Sequence, residues 1–213
     1  MKKALIGNGG HTREVMAQMN QRLIRFVDDK YCIEGDDKLL PLSDFNPNIY
    51  EVMICISNPK DRYEIVNKLP KETKYFSFIH PTALILSDDV NVDEGSFIGA
   101  YSILTTNIKI GKHSILNRYC QIGHDSQSGD YLTMMPGSVI SGNCNIGNRV
   151  YFGTNSSVKE KINICDDVTI GLNSGVVKNI NESGIYGGVP AKVIKERKNN
   201  LIDLECEFLK NLL

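Results

Sequence analysis

One short segment of this 213-residue chain pairs a histidine with a carboxylate. At 122–125 the sequence reads Ile-Gly-His-Asp. An imidazole with an ordinary pKa of about 6.5 is largely neutral at neutral pH and can accept a proton from a nucleophile. An adjacent carboxylate can fix the tautomer of the ring and raise its basicity. His124 and Asp125 are therefore candidates for a general base and its partner, although a solvated surface pair would have the same sequence.

A second candidate is the glycine-rich turn at 7–11, Gly-Asn-Gly-Gly-His, between a predicted strand at 3–6 and a predicted helix at 12–23. Glycines let backbone N–H groups approach a phosphate at a helix N-terminus, where the helix dipole favours negative charge. Asp28 and Asp29 end the next predicted strand, where a ribose or base could bind. Thr12 occupies the sixth position of the G-x-G-x-x-G fingerprint. Another nucleotide diphosphate therefore fits better than a nicotinamide cofactor, and His11 could equally cap the helix or face solvent.

Residues 1–79 are predicted to position that turn within a small sheet. Further strands are predicted at 25–27, 51–56 and 75–79, and a further helix at 60–69. Strands that alternate with helices indicate a parallel sheet of the dinucleotide-binding type. We therefore expect a Rossmann-like N-terminal domain over 1–79.

The His-Asp pair lies within a six-residue repeat. Fifteen of sixteen consecutive anchor positions are apolar, with Ser128 the exception, and small residues often follow each anchor by four positions. A period of six matches neither a helix nor a flat strand, and it indicates a three-sided parallel β-helix. Because Ile122 would point inward, His124 is expected on an outer face or corner. The anchors are Leu86, Val92, Ile98, Leu104, Ile110, Leu116, Ile122, Ser128, Met134, Ile140, Ile146, Phe152, Val158, Ile164, Ile170 and Val176.

Composition and the remaining segments exclude several functions. The net charge of −1 offers no basic surface for nucleic acid or anionic membranes. No apolar run has transmembrane or signal-peptide character, so we expect a cytoplasmic protein without membrane insertion. The six cysteines form no C-x-x-C pair and the four histidines do not suggest a cluster of three, so no metal is expected. The amphipathic stretch 193–213 is predicted to be a helix that packs on a coil or on a neighbouring subunit.

Five motifs in order resemble one enzyme family over residues 1–195. They are the Gly-x-Gly-Gly-His turn, the Asp-Asp strand end, an Ile-His-Pro junction at 79–81, Ile-Gly-His-Asp, and Gly-Val-Pro-Ala-Lys at 188–192. Together they are similar to the PglD-, PerB- and VioB-like N-acetyltransferases of nucleotide-linked 4-amino-4,6-dideoxy sugars, with the NeuD-like sialic-acid O-acetyltransferases as close cousins. The resemblance implies a left-handed β-helix over 80–192, acetyl-CoA as co-substrate and no metal.

The resemblance also implies a role for individual residues. His124 matches the catalytic base of the family. Asp125 stands where the family has a Glu that makes this histidine a more effective base. The implied nucleotide-sugar residues are Gly9, Gly10, His11, Asp28, Asp29, Ser57 and Asn58, of which Ser57 replaces a Gly. The implied acetyl-CoA residues are Thr133, Thr154 and Leu172, and Thr133 replaces a His.

The implied reaction is direct acetyl transfer to the C4 amine, with His124 as base and a backbone N–H of a neighbouring coil stabilising the oxyanion. Family members close this site between subunits, so a homotrimer is implied, with the cofactor between adjacent β-helices. O-acetylation of a sugar hydroxyl and a non-catalytic nucleotide-sugar-binding scaffold are the alternatives. The carrier nucleotide is left open among UDP, dTDP and GDP.

Overall fold

The computed structural model describes residues 1–32 and 35–196. Residues 2–75 form a five-stranded parallel sheet of order β3-β2-β1-β4-β5. Its strands are β1 (Lys2–Ile6), β2 (Ile24–Val27), β3 (Leu39–Pro41), β4 (Tyr50–Ile54) and β5 (Lys74–Tyr75). Its helices are α1 (Gly10–Met19) and α2 (Pro59–Lys68), with short 3₁₀ turns at Asp29–Tyr31 and Leu42–Asp44. Neither helix in the described part of the chain is long and apolar enough to cross a membrane.

Residues 78–187 coil into a three-sided parallel β-helix, in which paired residues of successive coils are mostly 18 positions apart. The first face contains Phe78–Ile79, Phe97–Ile98, Ile115–Leu116, Thr133–Met134, Tyr151–Phe152, Val168–Ile170, Gly184–Gly187 and Lys192–Glu196. The second contains Leu84–Ile85, Ile103–Leu104, Gln121–Ile122, Val139–Ile140, Ser157–Val158 and Gly175–Val176. The third contains Asn91–Val92, Lys109–Ile110, Gln127–Ser128, Asn145–Ile146 and Asn163–Ile164.

The six-residue anchors form the interior of this prism, as predicted. Every anchor from Ile98 to Val176 is buried except Ser128, which is half-buried. The small residues four positions after an anchor, including Ser102, Cys120 and Ser138, are also buried. Leu86 is 60% exposed because it lies on the first coil, where no preceding coil covers it.

The chain turns each corner through a residue with positive φ. Such residues recur at every sixth position from Gly95 to Asn173, and six of them are Asn or Asp. Among non-glycine residues these two types are strongly enriched in this conformation. We call the corner between the first and second faces the first corner, and the corner between the second and third faces the second corner.

The structure adds β3, which was not predicted, and ends β4 at Ile54 where the strand was predicted to reach residue 56. It differs from the predicted elements at three further places. Helix α1 ends at Met19 because Asn20 adopts the left-handed conformation, with φ of 52°. The strand predicted at 75–79 is divided, since Tyr75 completes the parallel sheet and Phe78–Ile79 begins the first face. The helix predicted from 193 is wrong for 193–196, which belong to a strand antiparallel to Gly184–Gly187, and its remainder, 197–213, lies outside the described residues.

The sheet and the β-helix share a hydrophobic core. Leu5, Val15 and Met53 pack in one cluster with Phe97 and Ile115 of the first face. Helix α1 therefore lies against the β-helix, and this contact brings the glycine-rich turn close to the first corner.

Candidate active site

His124 lies on the second corner with its ring outside the prism, as the inward anchor at Ile122 predicts. Its side chain is 57% exposed, and its Nδ1 lies 2.7 Å from Oδ2 of Asp125. Asp125 has φ of 58°, which is the recurrent corner conformation. With Nδ1 hydrogen-bonded to the carboxylate, Nε2 is the ring atom that can accept a proton.

The Asp125 carboxylate is held on both oxygens. Oδ1 accepts a hydrogen bond from Nδ2 of Asn107 at 2.7 Å, opposite the contact with His124. The bonds from His124 and then Asn107 hold the pKa of Asp125 below its usual value. An ionised carboxylate is the form that orients the imidazole and stabilises its protonated state.

The glycine-rich turn opens α1, with Gly9 as its N-cap and Gly10 as its first residue. A cleft of about 620 Å³ lies between the start of α1, the loop after β4 and the first corner. It contains three of the residues expected to bind the nucleotide sugar: Gly10, His11 and Ser57. It is also lined by Arg13, Glu14, Ala17, Asn117 and Met135.

His11 neither caps the helix through its side chain nor faces solvent. Its side chain is only 10% exposed, and its ring meets Phe97 edge-on at 5.7 Å. Burial, reinforced by the charge of Arg62, lowers the pKa of His11 to about 4. The imidazole is therefore neutral at the wall of the cleft, and its buried Nε2 has no hydrogen-bond partner among the described residues.

Four other expected nucleotide-sugar residues do not line the cleft: Gly9, Asp28, Asp29 and Asn58. Asp28 accepts a hydrogen bond from the N–H of Lys30, and Asp29 accepts one from the N–H of Ser43. Both follow β2, which is paired in parallel with β1, so they lie at the same sheet edge as the glycine-rich turn. Asn58 caps α2 by accepting a hydrogen bond from the N–H of Lys60.

Thr133 belongs to the joint between the two domains. Its side chain is fully buried, and its hydroxyl donates to the carbonyl of Ser57 while accepting from Arg62, both at 2.8 Å. Arg62 also donates to carbonyls of Ile56 on the loop after β4 and of His113, Tyr131 and Leu132 on the β-helix. The Thr133 side chain is therefore enclosed by its own chain, and its role as an acetyl-CoA residue stays a prediction.

Thr154 and Leu172 lie one above the other on the first corner. The carbonyl of Thr154 accepts a hydrogen bond from the N–H of Asn173, and Leu172 is 70% exposed. The cleft residues Asn117 and Met135 share this corner, whereas His124 lies on the next one. Within one chain, the whole second face separates the His-Asp pair from the cleft. Among the described residues, no group of three or more His, Cys, Asp or Glu side chains could hold a metal ion.

The sequence of this chain is similar to those of two sugar acyltransferases. No family model matches the chain. A GDP-perosamine N-acetyltransferase of Escherichia coli O157:H7 is 24% identical over 175 residues, which are 74% of this chain and 78% of that enzyme. A UDP-3-O-acylglucosamine N-acyltransferase of Campylobacter lari is 29% identical over 59% of this chain, which spans 39% of that enzyme.

Solved structures agree with the sequence relatives. WeeI of Acinetobacter baumannii superimposes with a TM-score of 0.81 at 26% identity, over 91% of this chain and all of the other. A perosamine N-acetyltransferase mutant of Caulobacter crescentus, solved with CoA and GDP-perosamine, gives 0.81 at 22% identity, over 92% and 98% of the two chains. The chain is a homologue of the hexapeptide-repeat sugar N-acetyltransferases. The left-handed β-helix expected from the resemblance is confirmed as the fold of this homologue.

The sequence predictions missed two neighbours of the His124–Asp125 pair. Asn107 precedes Asp125 by 18 residues, and Gly142 follows His124 by 18 residues. A Cβ built on Gly142 would lie 2.7 Å from Nε2 of His124, so glycine leaves room for the ring. The coil length of 18 was the signal that could have identified both, since residues that far apart are stacked in adjacent coils.

Proposed function

We propose that this chain is an acetyl-CoA-dependent N-acetyltransferase that acts on the C4 amine of a nucleotide-linked 4-amino-4,6-dideoxy sugar. The observation that carries the proposal is the outward-facing imidazole of His124, bonded through Nδ1 to Asp125 at 2.7 Å. The relatives whose names state GDP-perosamine N-acetylation support the substrate class.

In the proposed reaction, Nε2 of His124 takes the proton that the amine loses as its nitrogen attacks the thioester carbonyl. Asp125 stabilises the imidazolium that forms. The C–S bond then breaks, and the proton passes from His124 to the departing thiolate, so that CoA leaves as the thiol. The N–H of Gly142, which has no acceptor among the described residues, is our candidate donor to the oxyanion.

The first corner fits the acetyl-CoA arm. The backbone N–H groups of Thr154 and Leu172 have no acceptor in the described part of the chain, and both residues are exposed. Free N–H groups at successive coils can bind the amide carbonyls of a pantetheine chain. We propose that acetyl-CoA lies along this corner, with the nucleotide sugar bound by residues 9–11, 57 and 58 and by Asp28 and Asp29.

We propose that the active site is completed in a homotrimer. The cleft lies on the first corner and His124 on the second, so one β-helix presents its two halves of the site in different directions. Threefold packing would set the second corner of one subunit beside the first corner of the next. Light scattering should give a trimer, and a fully active monomer would overturn the shared site.

Complementation tests the same arrangement. One chain carries His124→Ala, and the other carries Leu172→Trp to block the acetyl-CoA corner. Each homotrimer should be inactive, whereas mixed trimers should regain part of the activity because some sites then combine an intact His124 with an intact Leu172. Mixed trimers that stay inactive would contradict a site shared between subunits.

The activity itself is tested with a panel of nucleotide-linked sugars. UDP-, dTDP- and GDP-linked 4-amino-4,6-dideoxy sugars of both C4 configurations are assayed for release of the CoA thiol. The matched control sugars carry a hydroxyl in place of the C4 amine. We expect turnover with at least one amino sugar and with none of the hydroxyl sugars, and the product should be heavier by one acetyl group. Turnover of the hydroxyl sugars alone, or of none of the panel, would overturn the proposal.

A further inference from the structure

A column of polar side chains rises through three coils of the second corner to the catalytic pair. Asp89 accepts hydrogen bonds from the N–H of Asn107 at 2.7 Å and from Oγ1 of Thr106 at 3.0 Å. Asn107 in turn donates through Nδ2 to Oδ1 of Asp125, and Asp125 bonds His124 through Oδ2. The backbone that carries the Asn107 amide is thus held from the preceding coil.

The two bonds to Asp125 constrain one carboxylate from opposite sides. Each is 2.7 Å long, one to each oxygen. Rotation of the carboxylate about its Cβ–Cγ bond would break both contacts. A carboxylate with a single partner would be free to turn toward water, and the ring of His124 would then lose the acceptor that selects its tautomer.

The charges around Asp125 come mainly from the coils before it. Asp89, two coils back, raises the pKa of Asp125, and the Asn107 amide opposes that effect by donating a hydrogen bond. On the next coil, residues 141–144 carry no charged side chain. One coil beyond, Lys159 and Glu160 pair with each other at 3.8 Å.

We propose that Asn107 is a positioning residue, which holds the Asp125 carboxylate in the orientation that accepts the Nδ1–H of His124. This inference rests on the proposed function, since it assigns Asn107 a part in general-base catalysis. Asn107 also has φ of 50°, where asparagine is favoured for conformational reasons alone. The test must therefore separate the amide from the corner conformation.

Two substitutions and a matched control achieve this separation. Asn107→Gly keeps the left-handed corner and removes the amide, whereas Asn107→Asp keeps the shape and replaces the donor with a negative charge. Asn143→Gly is the control, because Asn143 occupies the same corner position one coil after Asp125, with φ of 59°, and glycine retains its N–H bond to the carbonyl of His124.

The first measurement needs no substrate. Carbon-13 NMR of the Asp125 carboxyl across a pH series should show its pKa rising toward the ordinary value in Asn107→Gly and rising further in Asn107→Asp. Asn143→Gly should titrate like the wild type. An unchanged Asp125 titration in Asn107→Gly, or an equal change in Asn143→Gly, would overturn the positioning role.

The second measurement is the pH dependence of turnover. Asn107→Gly should lower kcat about 3- to 10-fold, which is the size of one lost hydrogen bond, and leave the KM for acetyl-CoA unchanged. The acid limb should move to higher pH in Asn107→Asp, since added negative charge favours the protonated ring, and to lower pH in Asn107→Gly. Unshifted limbs in both variants would contradict the proposal. Should the wild type acetylate no sugar, the proposed function fails, while the NMR titration still decides the role of Asn107 toward Asp125.

Discussion

Gly142 lies directly against the imidazole of His124. A Cβ built on Gly142 would be 2.7 Å from Nε2 and 2.8 Å from Cε1 of that ring. The φ of Gly142 is outside the left-handed region, so alanine can adopt its backbone conformation. Glycine is thus required at this position by the neighbouring ring and not by the turn.

Gly142→Ala should therefore displace the ring without unfolding the coil. We expect kcat to fall about 10- to 100-fold, the usual cost of misplacing a catalytic group by about 1 Å. Thermal unfolding should be nearly unchanged. In a His124→Ala background the same substitution should have no further effect on kcat, and a further loss in the double variant would mean that Gly142 acts by another route.

Removal of the His124 imidazole tests the assignment of this residue as the general base. His124→Asn should lower kcat by about 10² to 10⁴, the normal contribution of a general base, with little change in acetyl-CoA affinity. Asp125→Asn should have a smaller effect and should move the acid limb of the pH–rate profile to lower pH, because the ionised carboxylate favours the protonated ring. A His124→Asn variant that retains more than about a tenth of wild-type kcat would contradict the assignment.

The role of the glycine-rich turn is tested by a larger side chain at Gly10, where the protein itself leaves room for one. A Cβ on Gly10 would meet Nη2 of Arg13 at 3.8 Å, an ordinary contact, so the protein itself has room for a side chain. Gly10→Val should weaken nucleotide-sugar binding in calorimetric titrations, and Gly10→Ala should weaken it less. Acetyl-CoA binding should be unaffected by both. Loss of acetyl-CoA affinity instead would mean that the two ligand sites are assigned to the wrong domains.

Thr133, which lies at the joint between the two domains, is expected to contribute to the stability of the fold. Thr133→Val keeps the shape but removes the hydroxyl that bonds Ser57 and Arg62. Because these buried partners would lose a bond, the free energy of unfolding should fall by about 1–3 kcal/mol. Thr154→Val is the control, since Thr154 is exposed, and its stability should match the wild type. A loss of acetyl-CoA affinity in Thr133→Val would assign Thr133 to the cofactor site.

The stability of the fold is expected to depend on pH through two buried histidines, His11 and His113. Burial, as the main cause, lowers the pKa values of His11 and His113 to about 4. As the pH falls below about 6.5 the unfolded chain binds protons that the folded chain does not, so stability decreases until about pH 4 and then levels off for these groups.

Urea unfolding between pH 7 and pH 5 should show this loss, at most about 1.4 kcal/mol per pH unit for each histidine. His113→Asn should reduce the slope, because asparagine suits the φ of 54° at this corner and does not titrate. Equal slopes in His113→Asn and the wild type would refute a contribution from His113.

The repeat made the β-helix predictable from sequence. A six-residue period directly specifies which side chains point inward, so the buried anchors from Ile98 onward and the outward position of His124 followed from spacing alone. The motif Ile-Gly-His-Asp placed an imidazole and a carboxylate side by side because they are neighbours in the chain. Such local relations are present in the sequence before any tertiary contact forms.

The contacts that complete the site were decided by the tertiary structure. Thr133 is buried because Arg62, which is 71 residues away in sequence, reaches it from α2. His11 is buried because α1 packs against Phe97 of the first face. Asn107 and Gly142 contact the pair from adjacent coils, a stacking that the coil length of 18 residues sets. The burial of Thr133 and of His11 depends on the docking of surfaces remote in sequence, and the type and spacing of neighbouring residues do not encode which surfaces will meet.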